Sequence, residues 1–334
     1  MSTSSKKQDE NQLVWILTTR GFGSEINNLL YSINYAKHNN IQLGVVSSFW
    51  NFKYEQGLND YFIIEEYKDS KISFLLSIYE KFLEPLANFY KEPKFSYLAI
   101  QGLKFFQSSK DNKVIFKENL LSFFFLKTKN LLGIKYDLMI ETFHKIRKFN
   151  FDQRNLDREA FNLKINEILV DFWKLTPEIS KEIEEKKRKF NLESIENYAT
   201  FHIRRGDKVA QATMEDRVYK VEEYIEKLNY LNSSIKTIFL MTDDYKVFLE
   251  LKDVAPNFNI YTLSNPISTG HDQHTFNKNT AEKKRQLGID LLTELEIARK
   301  SEIFIGSRGS NIFRLIEYFK LKDCFDLGDN TTEL

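Results

Sequence analysis

The stretch TFHIRRGDKV, residues 200–209, runs from a strand-like alternating segment directly into two arginines, a glycine, an aspartate and a lysine. These cations need a counter-charge, although the chain as a whole is nearly neutral, with 48 basic and 47 acidic residues. One interpretation is a phosphate-binding turn, for which the forked guanidinium group of arginine is well suited. The other is a cluster of surface ion pairs, which contribute little to stability. The cations alone leave both interpretations open.

The sequence around this stretch alternates between short apolar runs and amphipathic segments. The predicted strands are 198–203, 236–242, 259–264 and 302–307, and the predicted helices are 221–231, 245–254, 284–301 and 311–320. Regular alternation of this kind is typical of a doubly wound α/β domain with a parallel sheet. In such a domain the ligand binds beyond the carboxyl ends of the strands, where the cations of residues 204–208 lie.

A second unit of the same type begins near the N-terminus. LVWILTT (13–19) and IQLGVVS (41–47) read as strands, and the helical segment between them starts at GFGS, where Ser24 can act as the N-cap. We therefore predict two Rossmann-like α/β domains that face each other across a cleft. The predicted boundaries are a disordered tail (1–12), an N-terminal α/β domain with helical insertions (13–190) and a C-terminal nucleotide-binding domain (191–334).

Composition excludes several classes of function. The balanced charge gives no reason to expect nucleic acid or an acidic membrane as a partner. Cys324 is the only cysteine, which excludes an internal disulfide and fits a reducing compartment. No apolar run approaches the ~20 residues that span a bilayer, and the polar N-terminus lacks the apolar core of a signal peptide. We expect a cytoplasmic protein that is not stably inserted in a membrane.

Polar residues follow three of the predicted strands in the C-terminal half. Arg204 and Arg205 follow the first strand, Asp243 and Asp244 follow the second, and the turn 306–310 (GSRGS) follows the fourth. The turn precedes a helix, whose free N–H groups and dipole favour an anion. A diphosphate held between the arginine turn and the turn with Ser307 and Ser310 is therefore the binding mode that these residues favour.

Other signals are weaker when taken alone. Gly21 and Gly23 form a glycine turn, but the dinucleotide fingerprint with its third glycine and acidic residue is missing. His202 alternates with buried positions and is either a core residue or a ligand contact. His271 and His274 lie in an apparent loop, which we expect on the substrate side. Adjacent strand-end aspartates point in different directions with no His or Cys beside them, so we expect no metal site.

The motifs together resemble the α1,6-fucosyltransferase family, which includes core-fucosylating enzymes and rhizobial nodulation fucosyltransferases. The resemblance is carried by FHIRRGDKV (201–209), VEEYIEKL (221–228), IFLMTDD (238–244) and GSNIFRLIEYF (309–319), in the order and at the spacing of that family. The segment that starts with GFGSEINNLLY is similar to the family's N-terminal glycine turn and helix. The resemblance covers roughly residues 13–54 and 198–320.

This resemblance implies a GT-B glycosyltransferase that transfers fucose from GDP-fucose to a glycan hydroxyl, with inversion and without a metal or other cofactor. The catalytic arginines it implies are Arg204 and Arg205, which would hold the β-phosphate of the leaving GDP. The matching donor-binding positions are Gly21, Gly23, His202, Arg204, Arg205, Asp207, Lys208, Asp243, Asp244, Ser307, Ser310 and Arg314.

The sequence departs from the family where its catalytic base is expected. Ala212 occupies the position that an ungapped alignment gives to the glutamate, and the segment is about three residues longer. Glu215 is therefore our candidate base and Asp216 the reserve, since an inverting transfer needs one carboxylate near the attacking hydroxyl. The alternatives are a related transferase with another nucleotide-sugar donor and a non-catalytic nucleotide-sugar-binding protein. A redox Rossmann enzyme is less favoured because the dinucleotide fingerprint is absent.

Overall fold

The computed structural model describes residues 12–17, 20–40, 42–47, 50–64, 143–206 and 218–328. Asp207, Lys208, Glu215 and Asp216 lie outside the described residues. The elements, in chain order, are β1 (Gln12–Ile16), α1 (Phe22–His38), β2 (Gln42–Val46), a 3-10 turn (Gly57–Asp60), α2 (Phe143–Leu156), α3 (Arg158–Phe172), α4 (Pro177–Lys189), β3 (Tyr198–Ile203), α5 (Val221–Asn232), β4 (Thr237–Thr242), α6 (Tyr245–Val254), β5 (Asn259–Thr262), α7 (Gln273–Asn277), α8 (Ala281–Ala298), β6 (Ile303–Gly306), α9 (Asn311–Lys320) and β7 (Cys324–Asp326).

The chain divides into two compact units. The larger unit contains residues Ile16–Tyr35, Val46–Glu65 and Phe149–Leu334. The smaller unit includes, among the described residues, most of the two-stranded sheet β1–β2, the last residues of α1 and the start of α2. This division by compactness does not test the domain boundaries drawn from the sequence, which stay predictions.

The larger unit is built on a five-stranded parallel sheet in the order β5-β4-β3-β6-β7. If the strands are counted along the chain from β3, this order is 3-2-1-4-5, the order of a Rossmann sheet. The register pairs Ile203 with Thr242 on one side of β3 and Phe201 with Ile305 on the other. The carboxyl ends of the three central strands therefore lie side by side, and the strand order reverses between β3 and β6.

The three central strands of the sheet are buried on both faces. Phe201 of β3 and Leu240 of β4 are completely buried on the face that α5 and α6 cover, and Thr200 of β3 and Phe239 of β4 are completely buried on the other face. Helices α5 and α6 cover the sheet with Tyr224, Leu228, Val247 and Leu251. Burial of each large apolar side chain stabilises the fold by about 1.5–3 kcal/mol. Strands buried on both faces are expected in a parallel sheet, and the α/β class predicted from the alternating pattern is confirmed.

The first turns of α1 and α9 lie beside each other. A Cβ atom on Gly23 would lie 2.9 Å from Ile312 Cδ1, so glycine allows the close approach. Asn27 Nδ2 donates a 2.8 Å hydrogen bond to the carbonyl of Asn311. Further along both helices, the hydroxyl groups of Tyr31 and Tyr318 are 2.8 Å apart. Two helix N-termini, each with the positive end of its dipole, are therefore brought together.

Several predicted elements differ in their ends from the observed ones. Helices 245–254 and 311–320 occur as predicted, whereas the predicted helix 284–301 is α8, which begins at Ala281 because Thr280 Oγ1 accepts a hydrogen bond from Lys283 N at 3.3 Å. Helix α1 begins at Phe22, so Ser24 lies inside the helix and is not its N-cap. Of the helices that the structure describes, none is long and apolar enough to cross a bilayer.

Candidate functional site

The turn after β3 is organised by the carboxylate of Asp243, which follows β4. Asp243 Oδ1 accepts a hydrogen bond from Arg205 N at 2.8 Å, and Oδ2 accepts one from Gly206 N at 3.1 Å. Oδ2 also accepts a hydrogen bond from His271 N at 3.0 Å and lies 3.7 Å from Arg204 Nε. The carboxylate thus supports the backbone of the arginine turn, and Arg204 forms a long ion pair with it.

The two arginines of the turn are held differently. Arg205 Nη2 donates to the carbonyl of Tyr219 at 2.9 Å, and Nη1 donates to the carbonyl of Arg204 at 3.5 Å. The guanidinium of Arg205 is therefore directed by backbone carbonyls. Arg204 instead lies beside Asp243, with 29% of its side chain exposed. A guanidinium that is both oriented and partly accessible is suited to bind phosphate oxygens.

The turn after β6 forms the other side of the switch point. Ser310 is the N-cap of α9, and its Oγ accepts a hydrogen bond from Ile312 N at 3.2 Å. Ser307 Oγ accepts one from Gly309 N at 3.4 Å. Arg308 is directed to the end of β7, where its backbone N and its Nη1 lie 3.1 and 3.5 Å from the two carboxylate oxygens of Asp326. The hydroxyl group of Ser310 can still donate to an anion, because it is used here as an acceptor.

Arg314 lies one turn further along α9. Its Nε is buried and has no hydrogen-bond partner among the described residues. A buried polar atom of this kind is destabilising unless a partner is supplied. Arg314 is therefore a candidate for contact with an anion near the first turns of α1 and α9.

His202 is the last but one residue of β3, and its ring stacks on Phe304 of β6 at 6.3 Å between ring centroids. Burial and the nearby charge of Arg204 together lower the pKa of His202 to about 4, with Asp243 opposing the shift. The imidazole is consequently neutral near pH 7 and offers one donor and one acceptor at the carboxyl end of the sheet.

Asp244 has a structural partner. It is the N-cap of α6, and its Oδ1 accepts a hydrogen bond from Lys246 N at 2.9 Å. Asp243 and Asp244 thus serve different segments of the backbone, since adjacent side chains point in different directions. The other predicted donor-site residues that the structure describes do lie near one another: His202, Arg204, Arg205 and Asp243 at β3 and β4, and Ser307, Ser310, Arg314, Gly21 and Gly23 at α9 and α1.

Glu294 was missed in the sequence, where it is one of two acidic residues in the helical segment LLTELEIA. Burial and the negative charge of Asp243 together raise the pKa of Glu294 to about 8, with Lys186 opposing the shift. Its carboxyl group is therefore largely protonated at pH 7 and can donate a hydrogen bond. The available signal was an acidic residue in a helix whose neighbouring positions are almost all buried.

The segment predicted as a loop around His271 and His274 contains a short helix. Asp272 Oδ1 accepts a hydrogen bond from Thr275 N at 2.7 Å and so begins α7. His271 Nε2 lies 3.4 Å from Gln273 Oε1. His274 is within α7. The segment is therefore ordered by its own cap and by the hydrogen bond from His271 N to Asp243.

No protein family matches the sequence, and no curated protein matches it either. Solved structures do resemble the fold. The α-1,6-fucosyltransferase NodZ soaked with GDP-fucose superimposes with a TM-score of 0.50 at 13% identity, over 93% of this chain and 92% of that chain. FUT1 of Arabidopsis thaliana in complex with GDP gives a TM-score of 0.48 at 10% identity, over 94% and 70% of the two chains. POFUT1 in complex with GDP gives 0.45 at 11% identity, over 94% and 96%.

The similarity to NodZ, at 13% identity, is evidence about the fold alone. The chain therefore has a fucosyltransferase-like GT-B fold, as the resemblance of its motifs implied.

Proposed function

We propose that the protein is a glycosyltransferase that transfers L-fucose from GDP-fucose to a glycan hydroxyl, with inversion at the anomeric carbon and without a metal ion. The observation that carries this proposal is the pair of turns at the switch point of the sheet. One turn contains Arg204 and Arg205, the other contains Ser307 and Ser310, and the first turns of α1 and α9 adjoin the second. Cations, hydroxyl groups and helix N-termini are the groups that bind a diphosphate.

In the proposed reaction the bond between the sugar C1 and the β-phosphate oxygen breaks, and a bond from C1 to the acceptor oxygen forms on the opposite face. The negative charge that develops on the β-phosphate is stabilised by Arg204 and Arg205, which replace the metal ion that other transferases use for this purpose. Loss of one such donor typically lowers the rate by about 10²–10³. The proton of the acceptor hydroxyl passes to a carboxylate, for which Glu215 is the candidate and Asp216 the reserve.

The supporting evidence has two independent parts. The fold is that of enzymes solved with GDP-fucose or GDP, and NodZ is described as an α-1,6-fucosyltransferase. The cations and hydroxyl groups at the strand ends have the chemistry that suits a diphosphate, which supports the proposal independently of the fold. The proposal includes a location in the cytoplasm, because the lone Cys324 fits a reducing compartment.

Turnover of a panel of donors tests this proposal. The protein is incubated with GDP-fucose, GDP-mannose or UDP-glucose, mixed oligosaccharide acceptors and excess EDTA, and the released GDP or UDP is measured. We expect release from GDP-fucose to exceed release from the other donors. NMR of the product should show the anomeric configuration opposite to that of the donor. Release only from a UDP-sugar would overturn the assignment of GDP-fucose as donor. Retention of the anomeric configuration would overturn the assignment of an inverting reaction.

The candidate base is tested in the same assay. We expect Glu215→Gln to lower turnover by about 10²-fold or more, the scale of general-base catalysis, while GDP binding is unchanged. Glu250→Gln, a change of the same type at an exposed position of α6, is the control and should behave as wild type. Unchanged turnover in Glu215→Gln would transfer the role to Asp216. If no donor is turned over although GDP binds, the protein is a nucleotide-sugar-binding protein.

A further inference from the structure

Asp243 connects two segments that are distant in the sequence. Its carboxylate accepts hydrogen bonds from the backbone N–H groups of Arg205 and Gly206, in the turn after β3, and from that of His271, in the segment after β5. The three distances are 2.8, 3.1 and 3.0 Å. One charged acceptor thus holds both segments, and hydrogen bonds to charged groups are stronger than those between neutral groups.

The two segments meet with their backbones in contact. A Cβ atom at Gly206 would lie 2.4 Å from His271 O and 2.5 Å from His271 N, which no side chain can accommodate. Gly270 has a φ of +101°, and a Cβ there would lie 3.0 Å from Gly206 Cα. Glycine is therefore required in both segments, at Gly206 for the close approach and at Gly270 for the backbone angle as well.

The residues that precede His271 are held to the chain after β4. The backbone N of Gly270 donates to the carbonyl of Asp243 at 2.9 Å, and the backbone N of Tyr245 donates to the carbonyl of Ser268 at 3.1 Å. Thr269 forms an antiparallel bridge with Asp244. The segment 268–271 is thus paired with residues 243–245 before it reaches the arginine turn.

The same segment continues to the glycine turn that precedes α1. His271 Nε2 lies 3.4 Å from Gln273 Oε1, and that oxygen lies 3.5 Å from the position of a Cβ on Gly21. Gln273 Nε2 donates to Asn277 Oδ1 at 2.8 Å, and Asn51 Nδ2 donates to the same oxygen at 2.7 Å. Residues 271–273 therefore extend from the arginine turn to the start of α1.

We propose that Asp243 is a positioning residue for the donor site: its carboxylate fastens segment 268–273 to the turn Arg204–Gly206 and makes that segment a wall of the site. This inference rests on the proposed function. Asp243 acts through the backbone that it holds, since both of its oxygens accept backbone N–H groups. The residues that it brings to the border of the site are His271 and Gln273, neither of which the sequence motifs assigned.

Asp243→Asn tests the inference, because an amide has one acceptor oxygen and turns an NH₂ group towards at least one of the three N–H donors. Without ligand, we expect faster hydrogen exchange at the backbone amides of Arg205, Gly206 and His271. We also expect GDP to bind roughly 10-fold to 100-fold more weakly, the factor that corresponds to one or two lost hydrogen bonds to a charged group.

The direction of the change in GDP affinity distinguishes an altered geometry of the arginine turn from a simple loss of the negative charge of Asp243. Removal of a negative charge beside Arg204 would by itself strengthen the binding of an anion. Weaker binding therefore indicates that the geometry of the turn has changed. GDP binding equal to or tighter than that of the wild type would overturn the inference, as would unchanged exchange at the three amides.

Asp60→Asn is the matched control. The carboxylate of Asp60 also accepts three backbone N–H groups, those of Tyr54, Glu55 and Gln56, at 2.7–3.1 Å. This variant should lose a similar amount of thermal stability and keep its affinity for GDP within about two-fold. A loss of GDP affinity as large as that of Asp243→Asn would show that general destabilisation explains both, and would overturn the inference.

Gly206→Ala is a second variant that leaves the charge of Asp243 intact. Its methyl group would separate the arginine turn from His271, so we expect it to reproduce the faster exchange at His271 and the weaker binding of GDP. Wild-type affinity for GDP in this variant would contradict the inference that segment 268–273 is a wall of the donor site. Failure of the wild type to bind GDP would refute the proposed function. The hydrogen-exchange measurements need no ligand, so they would still decide whether Asp243 holds the two segments together.

Discussion

At the scale of the residue, the site contains two acidic groups in opposite environments. The carboxylate of Asp243 accepts hydrogen bonds from three backbone N–H groups. Glu294 is half-buried, and burial together with the negative charge of Asp243 raises its pKa to about 8, so its carboxyl group is largely neutral near pH 7.

The raised pKa of Glu294 predicts how stability depends on pH. The unfolded chain releases this proton near the ordinary value of 4.5, whereas the folded protein keeps it up to about pH 8. The free energy of unfolding should therefore fall as pH rises through this interval, by about 1.4 kcal/mol for each unit of the shift. Glu294→Gln removes the titrating group, so the variant should become more stable relative to wild type as pH rises.

Thermal unfolding from pH 5 to pH 9 measures the difference in stability between Glu294→Gln and the wild type, which should level off above about pH 8. His202 acts in the opposite direction, because its lowered pKa makes stability fall as pH falls from about 6.5 to about 4. This contribution is shared by wild type and variant and cancels in the difference. The exposed Glu250→Gln is the control, with no growing difference expected. A difference that does not change with pH would show that Glu294 is ionised in the folded protein.

At the scale of the element, the start of α9 is both a capped helix and a part of the proposed anion site. Ser310 Oγ accepts the hydrogen bond of Ile312 N, which satisfies one of the free N–H groups of the first turn. Its hydroxyl proton remains available to a ligand. Gly23 allows α1 to approach this turn closely, and the carbonyl of Asn311 is occupied by Asn27. The element thus joins local helix chemistry to ligand binding.

Ser310→Ala should therefore have two effects. Loss of the N-cap lowers stability by about 1 kcal/mol, and loss of the hydroxyl donor weakens GDP binding. Thr280→Ala, which removes the same type of cap from α8, should lower stability by a similar amount and leave GDP affinity unchanged. Thermal unfolding and isothermal titration with GDP measure the two effects. Equal GDP affinities in the two variants would remove Ser310 from the anion site.

At the scale of the whole molecule, the parallel sheet of the larger unit determines where a ligand can bind. Strand order reverses between β3 and β6, so the segments that follow these two strands leave towards opposite faces of the sheet and open a crevice. The predicted donor-site residues that the structure describes lie at the carboxyl ends of β3, β4 and β6 or at the starts of α1 and α9. They share the larger unit.

A ligand that binds only the folded protein should raise its melting temperature. We expect GDP to raise the Tm more than UDP or NAD at equal concentration, because a ligand present at 100 times its dissociation constant stabilises the folded state by about 2.7 kcal/mol. Differential scanning fluorimetry measures the shifts. Equal shifts with GDP and UDP would contradict the assignment of a guanine nucleotide, and a shift with NAD alone would favour a redox enzyme.

The sequence by itself determined the α/β class, the succession of strands and helices along the C-terminal half, and the places where polar residues follow strands. Apolar periodicity is a local property of the sequence, so the helices 245–254 and 311–320 occur as predicted. The observed start of α8 differs from the predicted one because its N-cap, Thr280, lies outside the apolar pattern. The resemblance of the motifs anticipated the fold, since motifs in a set order reflect the order of the strands.

Only the tertiary structure decided what the side chains of the site do. Asp243 holds residues that are 28 to 38 positions away, and Gly206 lies against His271. These contacts depend on the path that the chain takes between the segments, which no local pattern encodes. The adjacent Asp243 and Asp244 look alike in the sequence, yet one fastens two segments of the site and the other caps a helix. Their neighbours in space, and not their chemistry, make the difference.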